Sequence, residues 1–303
     1  MGRVPRVSVV GSFIMDLVIR APRRPEPGET LIGREFGMFP GGKGANQAVA
    51  AARLGAKVNM IGRLGKDSFG ETFLGIMAEE GIDCSHVAVD EDLGTGVGNP
   101  VVEDTGENSI IIVPQANSRL SVRDIEKSAE AISEADALLL QLEVPLETSI
   151  AAAQIASDAG VRVILNPAPA RELPESFLQM VSVIVPNEVE FQALTGVFPH
   201  DLETTAAASR SLIKKGPHTV VVTLGSRGAY VVENDNAVHV PAERVSNVVD
   251  TTAAGDAFCG ALAHGLASGK SVIDAVCYAN KAASIAITRM GAIPSLPRAS
   301  EVK

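Results

Sequence analysis

An aspartate follows a run of small residues in the segment DTTAAGDAFCG, which spans residues 250–260. The apolar residues after Asp256 predict a helix, so Asp256 lies near a helix N-terminus. The unpaired N–H groups and the helix dipole at such a position favour an anion. The carboxylate therefore either caps the helix, or lies beside a bound phosphate and takes a proton from the phosphate acceptor.

A second glycine-rich helix start occurs in PGGKGANQAVAAARLG, residues 40–55. Its glycines let a ligand approach the backbone, and the side chains of Lys43 and Asn46 can reach an anionic or polyhydroxyl group. Gly44 stands where a Walker A loop needs a Ser or Thr to hold magnesium, so this is a different kind of loop. A purely structural helix start is the alternative, but the lysine and asparagine favour a ligand site.

Two carboxylates lie at the carboxyl ends of predicted strands. Asp16 comes after the strand RVSVVG, and Glu143 ends the strand ADALLLQLE. Because open α/β sheets bind ligands at the carboxyl ends of their strands, we expect these side chains to converge on one crevice, where Asp16 can accept hydrogen bonds from two hydroxyls. A capping aspartate in a loop is the structural alternative for Asp16.

Two further segments combine a structural and a functional interpretation. In PNEVEFQALTG, Asn187 is a plausible helix N-cap and Glu190 its capping-box partner, but both can also serve phosphate oxygens and Mg²⁺-bound water. The turn TLGSRGAYVV, residues 223–232, follows a strand and opens a hairpin. Its glycines can admit a nucleotide or simply form the turn.

Short β-branched segments alternate with alanine-rich helical segments along most of the chain. This βαβα order predicts one α/β domain over residues 1–303, with a mostly parallel central sheet flanked by helices. Residues 18–39 and 94–113 contain short strand-like pieces with turn signals and without helical periodicity. They predict a small β-sheet that forms a lid, with two surface excursions as the alternative.

Composition excludes several classes of function. The 303 residues are 46% hydrophobic and carry a net charge of −10, which argues against a nucleic-acid partner. No apolar run reaches the about 20 residues of a membrane helix, and Asp16 interrupts the N-terminal one, so we expect no membrane partner and no signal peptide. Three scattered cysteines, expected to be small buried side chains, suggest a reducing cytoplasm; they are Cys84, Cys259 and Cys277.

Several segments together resemble the ribokinase family of carbohydrate kinases, and they follow the family's order through nearly the whole chain. They are GGKGANQAVAAARLGA, LNPAPARELP, PNEVE, TLGSRGAY, DTTAAGDAFCGAL and ITRMGAIPSLP. The resemblance implies a ribokinase-like kinase that transfers the γ-phosphoryl group of ATP to the primary hydroxyl of a pentose, with D-ribose as the leading acceptor. It also implies a homodimer formed through the β-lid.

The resemblance further implies the roles of individual residues. Asp256 would be the catalytic base, with Gly255 and Ala254 forming an anion hole, and Glu190 would order the Mg²⁺ shell through water. The residues implied to contact the sugar are Asp16, Gly42, Lys43, Asn46, Glu143 and Asp256. Those implied to bind ATP are Asn187, Thr223, Gly225, Ser226, Gly228, Gly255 and Asn280. The monovalent-cation site, for K⁺, would comprise Asp250, Thr252, Ala286, Arg289, Gly291 and Ser295.

The sugar pocket departs from the family pattern. Ile14 replaces an asparagine in the pattern GS-x-N-x-D, and a ligand hydroxyl left unpaired there costs about 1–3 kcal/mol. Residues 98–100 replace apolar lid residues, and Gln115 replaces a small one. The alternatives to ribose are therefore 2-deoxyribose, a ketohexose or a nucleoside, and the alternative of another class is a non-catalytic sugar-binding regulator.

Overall fold

The computed structural model describes residues 3–105 and 107–302, so that residues 1, 2 and 303 of the predicted domain, and residue 106 of the predicted lid, lie outside it. The strands within these ranges are β1 (Arg6–Val10), β2 (Ile14–Ala21), β3 (Glu35–Gly41), β4 (Lys57–Gly65), β5 (Asp83–Asp90), β6 (Gly96–Glu103), β7 (Asn108–Val113), β8 (Ala137–Leu140), β9 (Arg162–Leu165), β10 (Val183–Ile184), β11 (Thr219–Thr223), β12 (Ala229–Glu233) and β13 (Asn236–Val240).

The helices alternate with the strands over most of the chain. Those within the described ranges are α1 (Lys43–Arg53), α2 (Ser68–Glu79), α3 (Val122–Lys127), α4 (Ala129–Ser133), α5 (Leu146–Asp158), α6 (Glu175–Leu178), α7 (Glu188–Thr195), α8 (Leu202–Ile213), α9 (Ala254–Ala267) and α10 (Val272–Ala286). The longest of them has 15 residues. Across the described chain, no helix combines the length and the apolar character needed to cross a membrane.

The large sheet has nine strands in the order β13-β12-β11-β10-β9-β8-β1-β4-β5. At one edge β12 pairs antiparallel with both β11 and β13, and the remaining neighbours pair parallel. The central strands are apolar on both faces, as in the fully buried segment ALLL of β8, because helices cover both sides. The predicted mostly parallel α/β architecture is confirmed.

A separate sheet of four strands has the order β3-β2-β6-β7. Its strands occupy the two segments for which a small sheet was predicted, but β2 begins at residue 14, four residues before the expected boundary. Asp16 therefore lies inside a strand of the smaller sheet, and the interpretation as a loop residue after β1 is wrong. It faces Phe39 of β3 on one side and Gly98 of β6 on the other in the strand register.

The unusual residues of β6 are accommodated by a local substitute for backbone pairing. The ladder between β2 and β6 is interrupted between Gly98 and Val101. Pro100 has no N–H to donate, and the side-chain amide of Asn99 instead donates to the carbonyl oxygen of Leu17 at 2.8 Å. Asn99 thus holds β6 against β2 beside the position where Asp16 and Gly98 face each other.

The three cysteines are free thiols, but only Cys259 is fully buried. Cys84 is half-buried, and Cys277 is exposed on α10. The expectation that all three are small buried side chains is therefore wrong for Cys277. The reason is that α10 packs one face against α9 and leaves the opposite face, where Cys277 lies, to solvent.

Candidate functional site

Asp256 is the third residue of α9 and is 7% exposed. The residue that precedes the helix, Ala253, has a left-handed φ of 58°, and no side chain caps the helix. The carboxylate of Asp256 is held instead by α1: the amide of Asn46 donates to Oδ2 at 2.8 Å, and that of Gln47 donates to Oδ1 at 2.9 Å. Helix capping therefore does not account for Asp256.

Close packing of α9 on α1 makes these contacts possible. Gly260 lies one turn after Asp256 on the same face of α9. A Cβ at this position would lie 2.5 Å from the Cβ of Ala50 and 2.8 Å from the carbonyl oxygen of Gln47. The missing side chain of Gly260 lets the two helices approach until short amides on α1 reach the carboxylate.

Glu143 fixes the start of α1. Its Oε2 accepts hydrogen bonds from the Ser12 hydroxyl at 2.5 Å and from the Lys43 backbone N–H at 2.9 Å. Gly42 precedes the helix with φ 87°, where a Cβ would meet the backbone nitrogen of Ile14 at 2.7 Å. Burial raises the pKa of the Glu143 carboxyl, against the opposing effect of the neighbouring Lys43.

Asp16 completes a cluster of three carboxylates. Burial, together with the charges of Glu143 and Asp256, raises the pKa of its carboxyl to about 6. Burial alone would lower the pKa of the Lys43 ammonium, but Asp256 and Glu143 outweigh it and raise that pKa. Lys43 therefore stays protonated and provides the cluster with its positive charge.

Two glycines fix where the Asp16 carboxylate lies. A Cβ at Gly98 would be 2.2 Å from Asp16 Oδ1, and one at Gly41 would be 2.7 Å from Asp16 Oδ2. The carboxylate thus occupies the space that both flanking strands leave free. Ile14, two residues earlier on β2, is 2% exposed and belongs to the same wall, because the Gly98 Cβ would be 3.4 Å from its Cγ2.

Asn187 and Glu190 form a capping box at the start of α7. The Glu190 amide donates to Asn187 Oδ1 at 2.8 Å, and the Glu190 carboxylate accepts from the backbone and side-chain nitrogens of Asn187, each at 2.9 Å. Burial raises the pKa of Glu190. A backbone bridge joins Asn187 to Thr223, which brings the end of β11 beside α7.

A cavity of about 240 Å³ connects these elements with Asp256. Lys43, Asn187, Glu190, Thr223, Gly255 and Asp256 are among its lining residues. Asp256 thus belongs both to the carboxylate cluster and to the cavity that reaches the ends of β10 and β11. A Cβ added to Gly255 would meet no atom within 4 Å, so this glycine faces open space at the start of α9.

The residues implied to form an anion hole differ in the availability of their backbone amides. The Ala254 N–H already donates to the Thr251 carbonyl oxygen at 3.3 Å. The N–H groups of Gly255 and Asp256 belong to the first turn of α9, where amides have no intrahelical acceptor. Gly255 and Asp256 are therefore better placed than Ala254 to donate to an anion.

The turn after β11 contains two glycines with positive φ, Gly225 at 55° and Gly228 at 91°, with exposed Ser226 between them. A Cβ at Gly228 would lie 2.2 Å from the Val240 carbonyl oxygen. The Asn280 amide donates to the carbonyl oxygens of Val240 and Pro241 at 3.2 and 3.1 Å. Asn280 therefore supports the loop behind this turn and lies outside the cavity.

Of the residues implied to form the cation site, Thr252 and Gly291 contact Asp250 directly. Its two oxygens accept from the backbone nitrogens of Thr252 and Gly291, each at 2.9 Å, which joins the loop before α9 to the segment after α10. The Ala286 carbonyl oxygen accepts from the Arg289 N–H at 3.1 Å, while the Arg289 side chain pairs with Glu301. Ser295 is fully buried.

Gln47 is the contact of Asp256 that motif reasoning missed. It lies next to Asn46 in the segment GGKGANQ, but consecutive residues of a helix generally point in different directions. The signal available in the sequence was a polar residue at the start of an alanine-rich helix that is otherwise buried. Gln47 is 0% exposed.

Comparisons with known proteins agree with this geometry. The profile of the pfkB family carbohydrate kinase matches residues 4–299. A ribokinase of Haemophilus influenzae is 42% identical over 295 residues, which are 97% of this chain and 96% of that protein. A deoxyribokinase of Salmonella typhi is 40% identical over 292 residues, 96% of this chain and 95% of that protein.

Among solved structures, that of Arabidopsis thaliana ribokinase complexed with ribose and ATP superposes with a TM-score of 0.93 and is 32% identical. The superposition covers 99% of this chain and 98% of that one. The similarity thus extends over both sheets and is not confined to the signature segments. Together with the profile match, it establishes that this chain belongs to the pfkB family of carbohydrate kinases.

Proposed function

We propose that this protein transfers the γ-phosphoryl group of ATP to the primary hydroxyl of D-ribose and produces D-ribose 5-phosphate and ADP. The proposal rests on the position of Asp256. Its carboxylate belongs to the carboxylate cluster and also lines the cavity that Asn187 and Glu190 line. A base at this junction can take the hydroxyl proton while the sugar oxygen attacks phosphorus. The ribokinase of Haemophilus influenzae and the ribose- and ATP-bound Arabidopsis protein support ribose as the acceptor.

The other site residues orient the reactants. Asp16 and Glu143 accept hydrogen bonds from sugar hydroxyls, and the Lys43 and Asn46 side chains donate to the sugar. The first-turn amide of Gly255 donates to the phosphoryl group as negative charge shifts during transfer. Phosphoryl transfer depends mainly on such alignment and charge stabilisation. The residues proposed to hold ATP are Asn187, Thr223, Gly225, Ser226 and Gly228, with Asn280 supporting their loop.

Mg²⁺ enters this site with ATP. In the described part of the chain, no three His, Cys, Asp or Glu side chains are grouped so as to hold a metal ion by themselves. Each oxygen of Glu190 accepts one hydrogen bond from Asn187 and keeps acceptor capacity for a water molecule. Glu190 therefore suits a Mg²⁺ ion that is bound by ATP phosphates and retains several of its waters. The ion would neutralise phosphate charge during transfer.

K⁺ is proposed at the loop around Asp250. A carboxylate and backbone carbonyls are ligands that suit a hard monovalent cation, and the Asp250 oxygens are already oriented by two backbone amides. Such a cation would stabilise the loop that leads into the first turn of α9. We expect it to act as an activator by ordering the amides of that turn.

The direct test is coupled ADP release from the purified protein with Mg-ATP and D-ribose, with and without K⁺. Ribose-dependent ADP release with formation of ribose 5-phosphate is the expected result, and K⁺ is expected to raise kcat. Turnover of adenosine or fructose with no turnover of ribose would contradict the proposal. ADP release that is equal with and without any sugar would contradict sugar kinase activity altogether.

A second candidate acceptor is 2-deoxyribose. Buried Ile14 places hydrocarbon in the pocket wall beside Asp16, where an amide would pair with a hydroxyl, and the Salmonella relative is named deoxyribokinase. A pocket without that hydrogen-bond partner loses little when the hydroxyl is absent. The ratio of kcat/KM for ribose and 2-deoxyribose in the same assay decides between the two acceptors.

Gly255→Ala is expected to separate stability from activity. In α9 an alanine has a higher helix propensity than glycine by about 0.5–1 kcal/mol, and its Cβ meets no protein atom within 4 Å, so Tm should rise slightly. The same methyl group occupies the open space assigned to phosphate but leaves the backbone N–H in place, so kcat/KM for ATP should fall about tenfold or more, up to the about 10²–10³-fold that loss of one oxyanion donor costs. Unchanged ATP kinetics would show that phosphate does not approach this turn.

Acidification is expected to weaken ribose binding through Asp16. Because its pKa is raised to about 6, the carboxyl becomes protonated as the pH falls below that value and loses acceptor capacity. KM for ribose, measured from about pH 5 to pH 8, should therefore rise on the acid side. In Asp16→Asn the ribose KM should be high and nearly independent of pH over this range.

The raised pKa of Asp16 also makes the stability of the fold depend on pH. The pKa of Asp16 is higher in the folded chain than its ordinary value of 3.8, so the ionised carboxylate destabilises the fold above about pH 6. This destabilisation disappears as the pH falls from about 6 toward 3.8. Asp16→Asn should therefore have a higher Tm than the unmodified protein near neutral pH, with the difference shrinking in acid.

The smaller sheet is proposed to form a homodimer interface. Its two edge strands expose large apolar side chains: Phe36 and Met38 of β3 are 64% and 56% exposed, and Ile111 of β7 is 71% exposed. Ile110 on β7 is exposed as well. Edge strands with such residues are available for pairing, and a second copy of the same sheet is their proposed partner.

Ile111→Glu is expected to convert the dimer to a monomer, because it places a charge in the apolar contact between two copies. Light scattering with size-exclusion chromatography measures the change. Val238→Glu is the control, since Val238 is an exposed residue of edge strand β13 in the other sheet. A monomeric unmodified protein would overturn the proposal.

We also propose a cytoplasmic location without nucleic-acid or membrane partners. The substrates are ATP and a free sugar, and the thiols of Cys84, Cys259 and Cys277 are unpaired, which suits a reducing compartment.

A further inference from the structure

Gln47 contacts Asp256 from a position that no substrate can reach. Its side chain is 0% exposed, and its Nε2 donates to Asp256 Oδ1 at 2.9 Å. Asn46, on the same helix, donates to the other oxygen, Oδ2, at 2.8 Å. The two carboxylate oxygens are therefore each held by a separate amide, which fixes the rotation of the carboxylate plane.

Gln47 is itself held by a chain of buried amides. Gln141 Nε2 donates to Gln47 Oε1 at 2.6 Å, and Gln47 Nε2 also donates to Asn166 Oδ1 at 3.2 Å. Asn166 Nδ2 in turn donates to the Val185 carbonyl oxygen at 3.0 Å. Gln141 and Asn166 are 1% and 8% exposed.

The groups at the two ends of this amide chain determine which side-chain nitrogen donates in each of its hydrogen bonds. The ionised carboxylate of Asp256 and the carbonyl of Val185 can only accept hydrogen bonds. Asn166 must therefore turn its NH₂ group to Val185 and its oxygen to Gln47, and Gln47 must turn its NH₂ group to both Asn166 and Asp256. Gln141 can then approach Gln47 Oε1 only with its NH₂ group. No amide in the chain can flip without losing a hydrogen bond.

The chain of buried amides lowers the stability of the fold in a way that an apolar core would not. Gln141 Oε1 is buried and has no hydrogen-bond partner among the described residues. A Cβ on Gly11, the residue after β1, would lie 2.2 Å from Gln141 Oε1. The missing side chain of Gly11 therefore makes room for this oxygen. An unpaired buried acceptor is destabilising, and apolar residues of similar shape would pack there without that loss.

We infer that Gln47, oriented by Gln141 and Asn166, is a positioning residue that holds the Asp256 carboxylate in the rotamer needed for proton transfer. The inference rests on the proposed role of Asp256 as the base. Since Gln47 contacts neither sugar nor ATP, its loss should act on kcat, while KM for both substrates stays nearly constant. A displacement of a reacting group by about 1 Å can lower the rate about a hundredfold.

The test replaces Gln47 with methionine, which keeps the length of the side chain and removes its amide. We expect kcat to fall about ten- to a hundredfold, with KM for ribose and ATP changed less than about threefold. Asn59→Leu is the matched control: Asn59 is also a buried amide, 9% exposed, whose Nδ2 donates to Ser8 Oγ at 3.3 Å within the large sheet. It should lower Tm by a similar amount and leave kcat unchanged.

Gln141→Met is the second variant, because it leaves both amides on Asp256 in place and removes only the donor that orients Gln47. A smaller decrease of kcat, about three- to tenfold, is expected there. If Gln47→Met does not fold, this variant alone decides. The inference is overturned if kcat in the folded variants equals that of the Asn59→Leu control, or if only KM for ribose rises.

Asp256→Asn distinguishes a failure of the proposed base, Asp256, from a failure of the positioning role of Gln47. If it is inactive while Gln47→Met and Gln141→Met turn over normally, Asp256 is the base and the positioning role is wrong. If Asp256→Asn itself keeps full activity, the proposed role of Asp256 fails, and the inference falls with it.

Discussion

Asp256→Asn is expected to lower kcat for ribose phosphorylation by about 10²–10⁴-fold, the range that a general base contributes. The asparagine side chain has nearly the same shape but cannot accept the hydroxyl proton. KM for ATP should change little, because the residues proposed to hold the nucleotide, Asn187 and Thr223, lie on other elements. ADP release at saturating ribose and ATP measures the effect.

Asp274→Asn is the matched control for this prediction. Asp274 is the third residue of α10, as Asp256 is of α9, so both carboxylates interact similarly with a helix dipole. Asp274 is exposed to solvent and bonded to Ser271 at the helix start. This control should keep full kcat with a slightly lower Tm. Should Asp256→Asn retain more than about a tenth of the original kcat, another group takes the proton.

The parts of the site that depend on residues close together in the sequence could be predicted from it. Asn187 and Glu190 form the capping box that their three-residue spacing indicates, and a helix N-terminus lies at Asp256 as predicted, with the helix starting two residues earlier at Ala254. The parallel sheet likewise follows from the alternation of β-branched and alanine-rich segments. These features are set by backbone geometry over a few residues.

Contacts between distant segments could not be predicted in this way. The amides of Asn46 and Gln47 are 210 and 209 residues from Asp256 in the chain, and only the packing of α1 on α9 brings them together. Asp16 was placed at the carboxyl end of the first strand, with a loop as the alternative, because periodicity does not reveal that the chain leaves the large sheet after β1 and enters a second sheet as β2. The exposed position of Cys277 on α10 depends on which helix face packs inward.

Gly98→Ala is expected to raise KM for ribose about tenfold or more, although residue 98 contributes no functional group. The added Cβ would lie 2.2 Å from Asp16 Oδ1. On the other side of the carboxylate lies the backbone of Gly41, so the carboxylate cannot simply shift away from the new methyl group. Asp16 must therefore rotate away from its proposed position beside the sugar, which would remove a charge-assisted hydrogen bond worth about 1.5–3 kcal/mol. ADP release at varied ribose concentration measures KM.

Two further variants decide how the effect arises. Asp16→Asn removes the charge directly and should raise KM for ribose by about 10- to 100-fold. Gly37→Ala adds a methyl group in the same sheet, where it meets the ring of Phe39, and should leave KM nearly unchanged because a ring edge can move aside. If Gly98 acts through Asp16, the double variant Gly98→Ala with Asp16→Asn should be no worse than Asp16→Asn alone, because the carboxylate that the methyl group displaces no longer contributes. Additive losses would mean that residue 98 contacts the sugar by itself, and the space left by this glycine would then belong to the acceptor.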